Sequence, residues 1–204
     1  MSTTMVSLPV SALPPIALGF MGLGTGYLIY GPQELFGYPK RDKVSVDFPM
    51  GVWGIFMPGL MQMLTGLILF LGLDLFGTFN APILYMAALA FTSYGIHWFA
   101  IGWSRMHGSD ARVLTGMAVA FLLLSVLGVV AFFGAHDSPV GGLFIGLCGV
   151  YVAEILVSLA PVRPGIGAIG ERILGFFHLG TGLWLMYLVW AVVLDFTLKY
   201  TLPV

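Results

Sequence analysis

The chain has 204 residues, of which 8% are charged and 59% belong to the hydrophobic set, with a net charge of −1 and a mean hydropathy of +1.00. A soluble domain carries about 25% charged residues, so this composition describes an integral membrane protein. It excludes a nucleic-acid-binding surface and, because the spans and short connections use up the chain, leaves a single domain over 1–204 with no room for a soluble enzyme module.

The N-terminal dozen residues are uncharged and lead into Pro14-Pro15, which suits a helix start. A first span is expected from Pro15 to Tyr30, short for a bilayer that needs about 20 residues. Gly19, Gly22, Gly24 and Gly26 strip it of bulk, and Gly22-x-x-x-Gly26 is a close-packing pattern. Gly31–Pro49 reads as a polar connection. The second span, Met50 to Leu73, contains Pro58, which predicts a kink in its first half, and Gln62, whose amide needs either a helix or a substrate as partner.

Pro82 opens a third span that continues to Trp103. Its stretch Ala87–Ser104 carries hydroxyls, a histidine and two tryptophans. At helical spacing Ser93, Tyr94 and His97 gather on one side, which should look into protein or a water-filled path rather than at acyl chains. Arg105–Arg112 reads as a connection, followed by span four at Val113–Gly134, a turn at His136-Asp137-Ser138-Pro139 and span five at Gly141–Ala160. Pro161–Glu171 then connects to span six at Arg172–Phe196. The single cysteine, Cys148, excludes an intrachain disulfide.

The expected fold class is therefore an all-α bundle of six transmembrane helices with both termini on one side. All Lys and Arg except Lys199 fall in the connections after spans one, three and five: Lys40, Arg41, Lys43, Arg105, Arg112, Arg163 and Arg172. The positive-inside rule makes those connections cytoplasmic and the termini external. A near-repeat, Leu18-Gly19-Phe20 with Leu23-Gly24-Thr25-Gly26 against Leu174-Gly175-Phe176 with Leu179-Gly180-Thr181-Gly182, lies on helices of opposite direction and is best explained by shared packing chemistry.

Several blocks resemble the acetate uptake transporter family of bacterial succinate-acetate permeases and fungal acetate permeases. They are Pro15, Leu18-Gly19, Met21-Gly22 and Gly24 in span one, Gly54-Ile55-Phe56, Gly59, Gln62 and Gly66 in span two, and Phe91-Thr92-Ser93-Tyr94-Gly95 with Trp98 in span three. The resemblance implies a narrow pore in each protomer, assembly into homo-hexamers in the inner cell membrane, and small monocarboxylates as substrates, acetate above all and sometimes succinate. It implies no cofactor. Three departures accompany it: Pro14-Pro15-Ile16-Ala17 lacks the Asn of the family's first-helix signature, Leu23 stands where bacterial relatives place a gating aromatic, and the family's termini are cytoplasmic, opposite to the charge bias. Tyr94 matches the gating aromatic of span three.

A short carboxylate is ionised at neutral pH, with a pKa near about 4.3, and needs donors along its passage. Gln62, Thr92, Ser93 and the Tyr94 hydroxyl are the candidate donors, with Leu23 and Tyr94 as an apolar collar. For Thr92 and Ser93, interhelical hydrogen bonding is the competing role. His97, Glu154 and His178 lie at a common depth, about 10 Å from the basic face at 1.5 Å per residue, and form a candidate proton or ion cluster. Two alternatives stand beside transport: a redox-associated subunit in which His97 and His178 hold a haem or metal, and a structural subunit of a larger membrane assembly.

Overall fold

In the computed structural model, which describes residues 11–40, 45–109 and 111–203, six helical segments are long and apolar enough to cross a membrane. They are α1 (Leu13–Phe36), a composite second span over Asp47–Leu75, α4 (Ile83–His107), a fourth over Arg112–Gly134 containing α5 (Thr115–Gly134), α6 (Ser138–Ser158) and α7 (Pro164–Leu198). The six-span, all-helical expectation holds. Arg41 and Lys43, used in the charge argument, lie outside the described residues.

The composite span is α2 (Asp47–Gly54), a π-helical turn at Ile55–Leu60, α3 (Met61–Phe70) and a second π turn at Leu71–Leu75. Pro58 sits inside the first π turn. A proline removes one backbone donor, and widening the turn is one way for a helix to absorb that loss without breaking. The expected kink is thus a local change of helical pitch at the middle of the membrane.

Helix ends differ most from the sequence reading. α1 does not stop at Tyr30; it runs six residues further, through Pro32, to Phe36, where Gly37 in the left-handed conformation (φ 68°) closes it. Arg105 belongs to the last turn of α4, and α7 begins at Pro164, so most of the expected connection before Arg172 is helix. Polar residues at helix ends resemble loop composition, yet here they are held by partners inside the bundle.

Glycines set the closest helix contacts. The near-repeat meets itself across the antiparallel α1–α7 pair at Gly24 and Gly182, where a Cβ on either would lie 3.4 Å from the other's carbonyl oxygen. Further along the same seam a Cβ at Gly31 would meet the Gly175 carbonyl oxygen at 3.2 Å, and one at Gly175 would come within 2.4 Å of the Leu35 backbone nitrogen. Gly24 meets Leu185 in the same seam, while Gly22 and Gly26 pack on Met57 and Pro58 of the π turn. Gly19 lies against Phe91, Gly54 against Tyr30, Gly59 against Phe99 and Gly66 against Thr92. Gly175→Leu is therefore expected to force α1 and α7 apart at a cost of about 3 kcal/mol, seen as a lower melting midpoint of the detergent-solubilised protein; an unchanged midpoint would mean that the seam can open freely.

Candidate functional site: two cavities and an aromatic septum

Two cavities enter the bundle from opposite ends. The first, about 340 Å³, is walled by the ends of α1, α4 and α6, the first turns of α2 and α5, and Leu174 and His178 in the first half of α7; its polar lining includes Glu34, Asp47, His97, Arg105, Glu154 and His178. The second, about 170 Å³, lies between the start of α1, α4 and α6 and the end of α5 and α7, and is lined mainly by apolar side chains together with Leu23, Gln62, Tyr94 and Asp137.

Between them lie rings that border neither cavity: Tyr27 from α1, Phe121 from α5 and Tyr151 from α6. Tyr94, on the side of the second cavity, stacks on Tyr151 (centroids 5.6 Å) and meets Phe121 edge-on at 5.5 Å. His97, on the side of the first, reaches Phe121 at 4.7 Å and Tyr151 at 5.8 Å. Tyr27 stacks on His178 at 4.4 Å and tilts against Trp98 at 5.8 Å. Tyr94 and His97 are three residues apart on one helix, about 4.5 Å of rise, so the septum is only about one aromatic ring thick.

The first cavity holds two ionisable groupings. His178 Nδ1 donates to Glu34 Oε2 at 2.5 Å, and Arg105 Nη2 lies 3.7 Å from the other oxygen of Glu34. Arg105 also donates to Asp47 Oδ1 at 2.8 Å and to Gln33 Oε1 at 3.3 Å, with its guanidinium 4.8 Å above the Tyr30 ring. The second grouping is His97 Nε2 with Glu154 Oε2 at 3.6 Å, an ion-pair separation too long for a good hydrogen bond. His97 is 1% exposed, and neither ring nitrogen has a hydrogen-bond partner. A buried imidazole with no partner on a polar cavity wall is a group set to receive a ligand or water.

His97, Glu154 and His178 thus share one cavity, as their common depth suggested, but they do not form one bonded cluster. His178 is engaged by Glu34, which the sequence reading missed by ending span one at Tyr30, six residues before the end of α1. A signal was available: Phe20, Leu23, Tyr27, Tyr30 and Glu34 follow alternating three- and four-residue steps, the spacing of one buried helix face. Arg105 and Asp47 were missed because they were assigned to connections.

Leu23, Gln62 and Tyr94 line the same cavity. Thr92 and Ser93 line neither cavity, and the Thr92 hydroxyl donates to Ala88 O at 2.9 Å while packing on Gly66. Ser93, one residue before Tyr94, is rotated by about 100° from it on the helix, which takes it off the cavity wall. The Tyr94 proton is also committed. Ser125 Oγ donates to Phe121 O at 2.7 Å, so in its 2.9 Å contact with Tyr94 the serine accepts and the tyrosine donates. The expected ladder of hydroxyl donors is therefore not built from these groups, because hydroxyls in an apolar bundle find carbonyl or hydroxyl acceptors nearby.

Asp137 caps α6, accepting from Val140 N at 3.0 Å. Burial pushes its carboxyl above the usual range, partly offset by that hydrogen bond.

No family model matches the chain, and no curated protein matches it. A solved structure of the bacterial acetate channel SatP superposes on it with a TM-score of 0.68 at 24% identity, covering 93% of this chain and 97% of that one. The two proteins share the six-helix membrane fold over nearly their whole lengths.

Proposed function

We propose that the chain is a member of the acetate uptake transporter family and passes small monocarboxylates, acetate foremost, through the septum between its two cavities. The observation that carries this reading is the pairing of opposed cavities with a thin wall of aromatic side chains on one whole-chain fold like that of an acetate channel. Leu23 and Tyr94 form the collar on one side, Gln62 is a polar contact beside it, and His97 is the first group met from the other.

On this reading the first cavity is an anion vestibule. Arg105 supplies positive charge at its mouth, and His97–Glu154 and His178–Glu34 are imidazole–carboxylate pairs that can exchange protons with a passing acid. The protein works as a multi-pass homo-oligomer, a hexamer by family resemblance, in the inner cell membrane, and it is not an enzyme.

The test is flux of labelled acetate, propionate, lactate and succinate into proteoliposomes at two pH values. Acetate and propionate are expected to pass fastest, with the three- and four-carbon hydroxy and dicarboxylic acids at least tenfold slower. His97→Ala is expected to flatten the pH dependence of flux while the protein keeps its elution volume and helicity. No protein-dependent acetate flux would reject the proposal.

A further inference from the structure

The hydrogen-bonding inventory of the second cavity leans to acceptors. Gln62 is fully buried, and its Nε2 donates to Pro58 O at 3.0 Å. Because a backbone carbonyl can only accept, that contact fixes which end of the amide is nitrogen. Gln62 Oε1 is then an acceptor with no partner, while the second N–H of Nε2 remains a donor. Tyr94 lines the same cavity with its proton already given to Ser125, leaving its oxygen as an acceptor too. Asp137, at the same cavity, presents carboxylate oxygens, one of them taken by Val140 N. Among the described residues no Lys, Arg or His lines the chamber. Its remaining lining is apolar, from Ile16 and Phe20 through Phe91 to Leu188.

An ionised carboxylate brings only acceptors. Placed here it could accept from the second N–H of Gln62 Nε2, but its charge would stand beside Gln62 Oε1 and Asp137 with no cation among the described lining residues to compensate it, whereas an undissociated acid can accept from that N–H and donate to Oε1. An undissociated acid brings one O–H donor and a short apolar tail, and so does any small neutral molecule with an N–H or O–H group. The cavity has the room of roughly five or six water molecules.

We propose that Gln62 Oε1 is the anchor of a binding site for small neutral hydrogen-bond donors with a short apolar tail: the undissociated monocarboxylic acid and, by the same chemistry, its primary amide. This rests on the carboxylate-transport reading for the natural ligand. The two cavities then hold different forms of one substrate, the anion beside Arg105 and His97 and the neutral acid beside Gln62. Water satisfies the Gln62 acceptor until such a ligand replaces it.

The full chain in detergent, observed by saturation-transfer NMR with propionamide as the probe, tests the site without requiring transport. Propionamide is expected to bind, and Gln62→Leu, which removes the acceptor and adds no charge, to weaken binding by about tenfold. Propionate is expected to displace the amide only through its protonated fraction, so that the total concentration needed for half-displacement rises about tenfold per pH unit between pH 5.5 and 7.5. Methanesulfonate, an anion of similar size that stays ionised, is expected not to displace it at any pH. The titratable groups lining this cavity are Asp137 and Tyr94. Asp137→Asn keeps an oxygen to cap α6 and removes the first titration, and the tenfold slope is expected to persist. The proposal is overturned if Gln62→Leu binds propionamide as well as the parent does, if propionate competes equally at all pH values, if methanesulfonate displaces the amide, or if the slope disappears in Asp137→Asn. Amide binding at Gln62 in a protein that passes no acetate would support this site and reject the transport reading alone.

Discussion

Arg105→Ala is expected to destabilise the bundle by about 3 kcal/mol, the largest effect of any single change at the first cavity. Arg105 ties the last turn of α4 to the last turn of α1 through Glu34 and Gln33, and to the start of α2 through Asp47. Removing it leaves the Glu34 side chain, 5% exposed, to the His178 contact. The Asp47 side chain is 37% exposed and contributes little, because solvent screens it. Most of the loss is the penalty on a buried carboxylate, read as a fall in melting midpoint in detergent. Arg105→Lys keeps the charge but cannot reach Glu34, Gln33 and Asp47 with one planar fork, so it should fall between the two. A midpoint unchanged in Arg105→Ala would show that the His178–Glu34 contact holds the helix ends together without help.

Tyr94→Ala is expected to change selectivity by a larger factor than any other substitution in the septum. It removes the ring that stacks on Tyr151 and meets Phe121 edge-on, and opens the wall beside Leu23. The ratio of acetate to succinate flux in proteoliposomes should fall by about tenfold or more, while the cavity left behind costs about 3 kcal/mol in stability. Tyr94→Phe keeps the ring and deletes only the bond to Ser125, so its flux ratio should stay near that of the parent. A ratio unmoved in Tyr94→Ala would place the size limit at Tyr27 or Leu23 instead.

The spans were legible in the sequence because bilayer-length apolar runs leave few readings, and Pro82 and the Asp137 turn mark two of their ends. Gln62 and Tyr94 were legible as site candidates because a lone polar group in an apolar helix must face something. Glu34, Asp47 and Arg105 were not, since charged residues at a helix end look like loop until their partners from other helices are known. The septum was half legible. Tyr94 stood out beside His97, whereas Tyr27, Phe121 and Tyr151 are aromatic residues in apolar runs, and only the packing of three helices brings them to one level. The hydroxyl donors failed for a different reason: which acceptor a buried hydroxyl chooses is a matter of a few tenths of an ångström, and sequence spacing does not resolve it.

A wall one ring thick between two opposed chambers also has an electrical meaning. On the transport reading water enters both chambers and carries potential with little loss, so a membrane voltage falls mainly over the stretch between Tyr94 and His97 rather than over the whole bilayer. An acid anion crossing alone meets that field in a single step, worth about 2.3 kcal/mol per 100 mV, whereas a neutral acid crosses without feeling it. On the transport reading, reversal potentials and the voltage dependence of flux would thus report which form traverses the rings, and the few ångströms of aromatic side chain would decide whether a membrane potential opposes passage or has no hold on it.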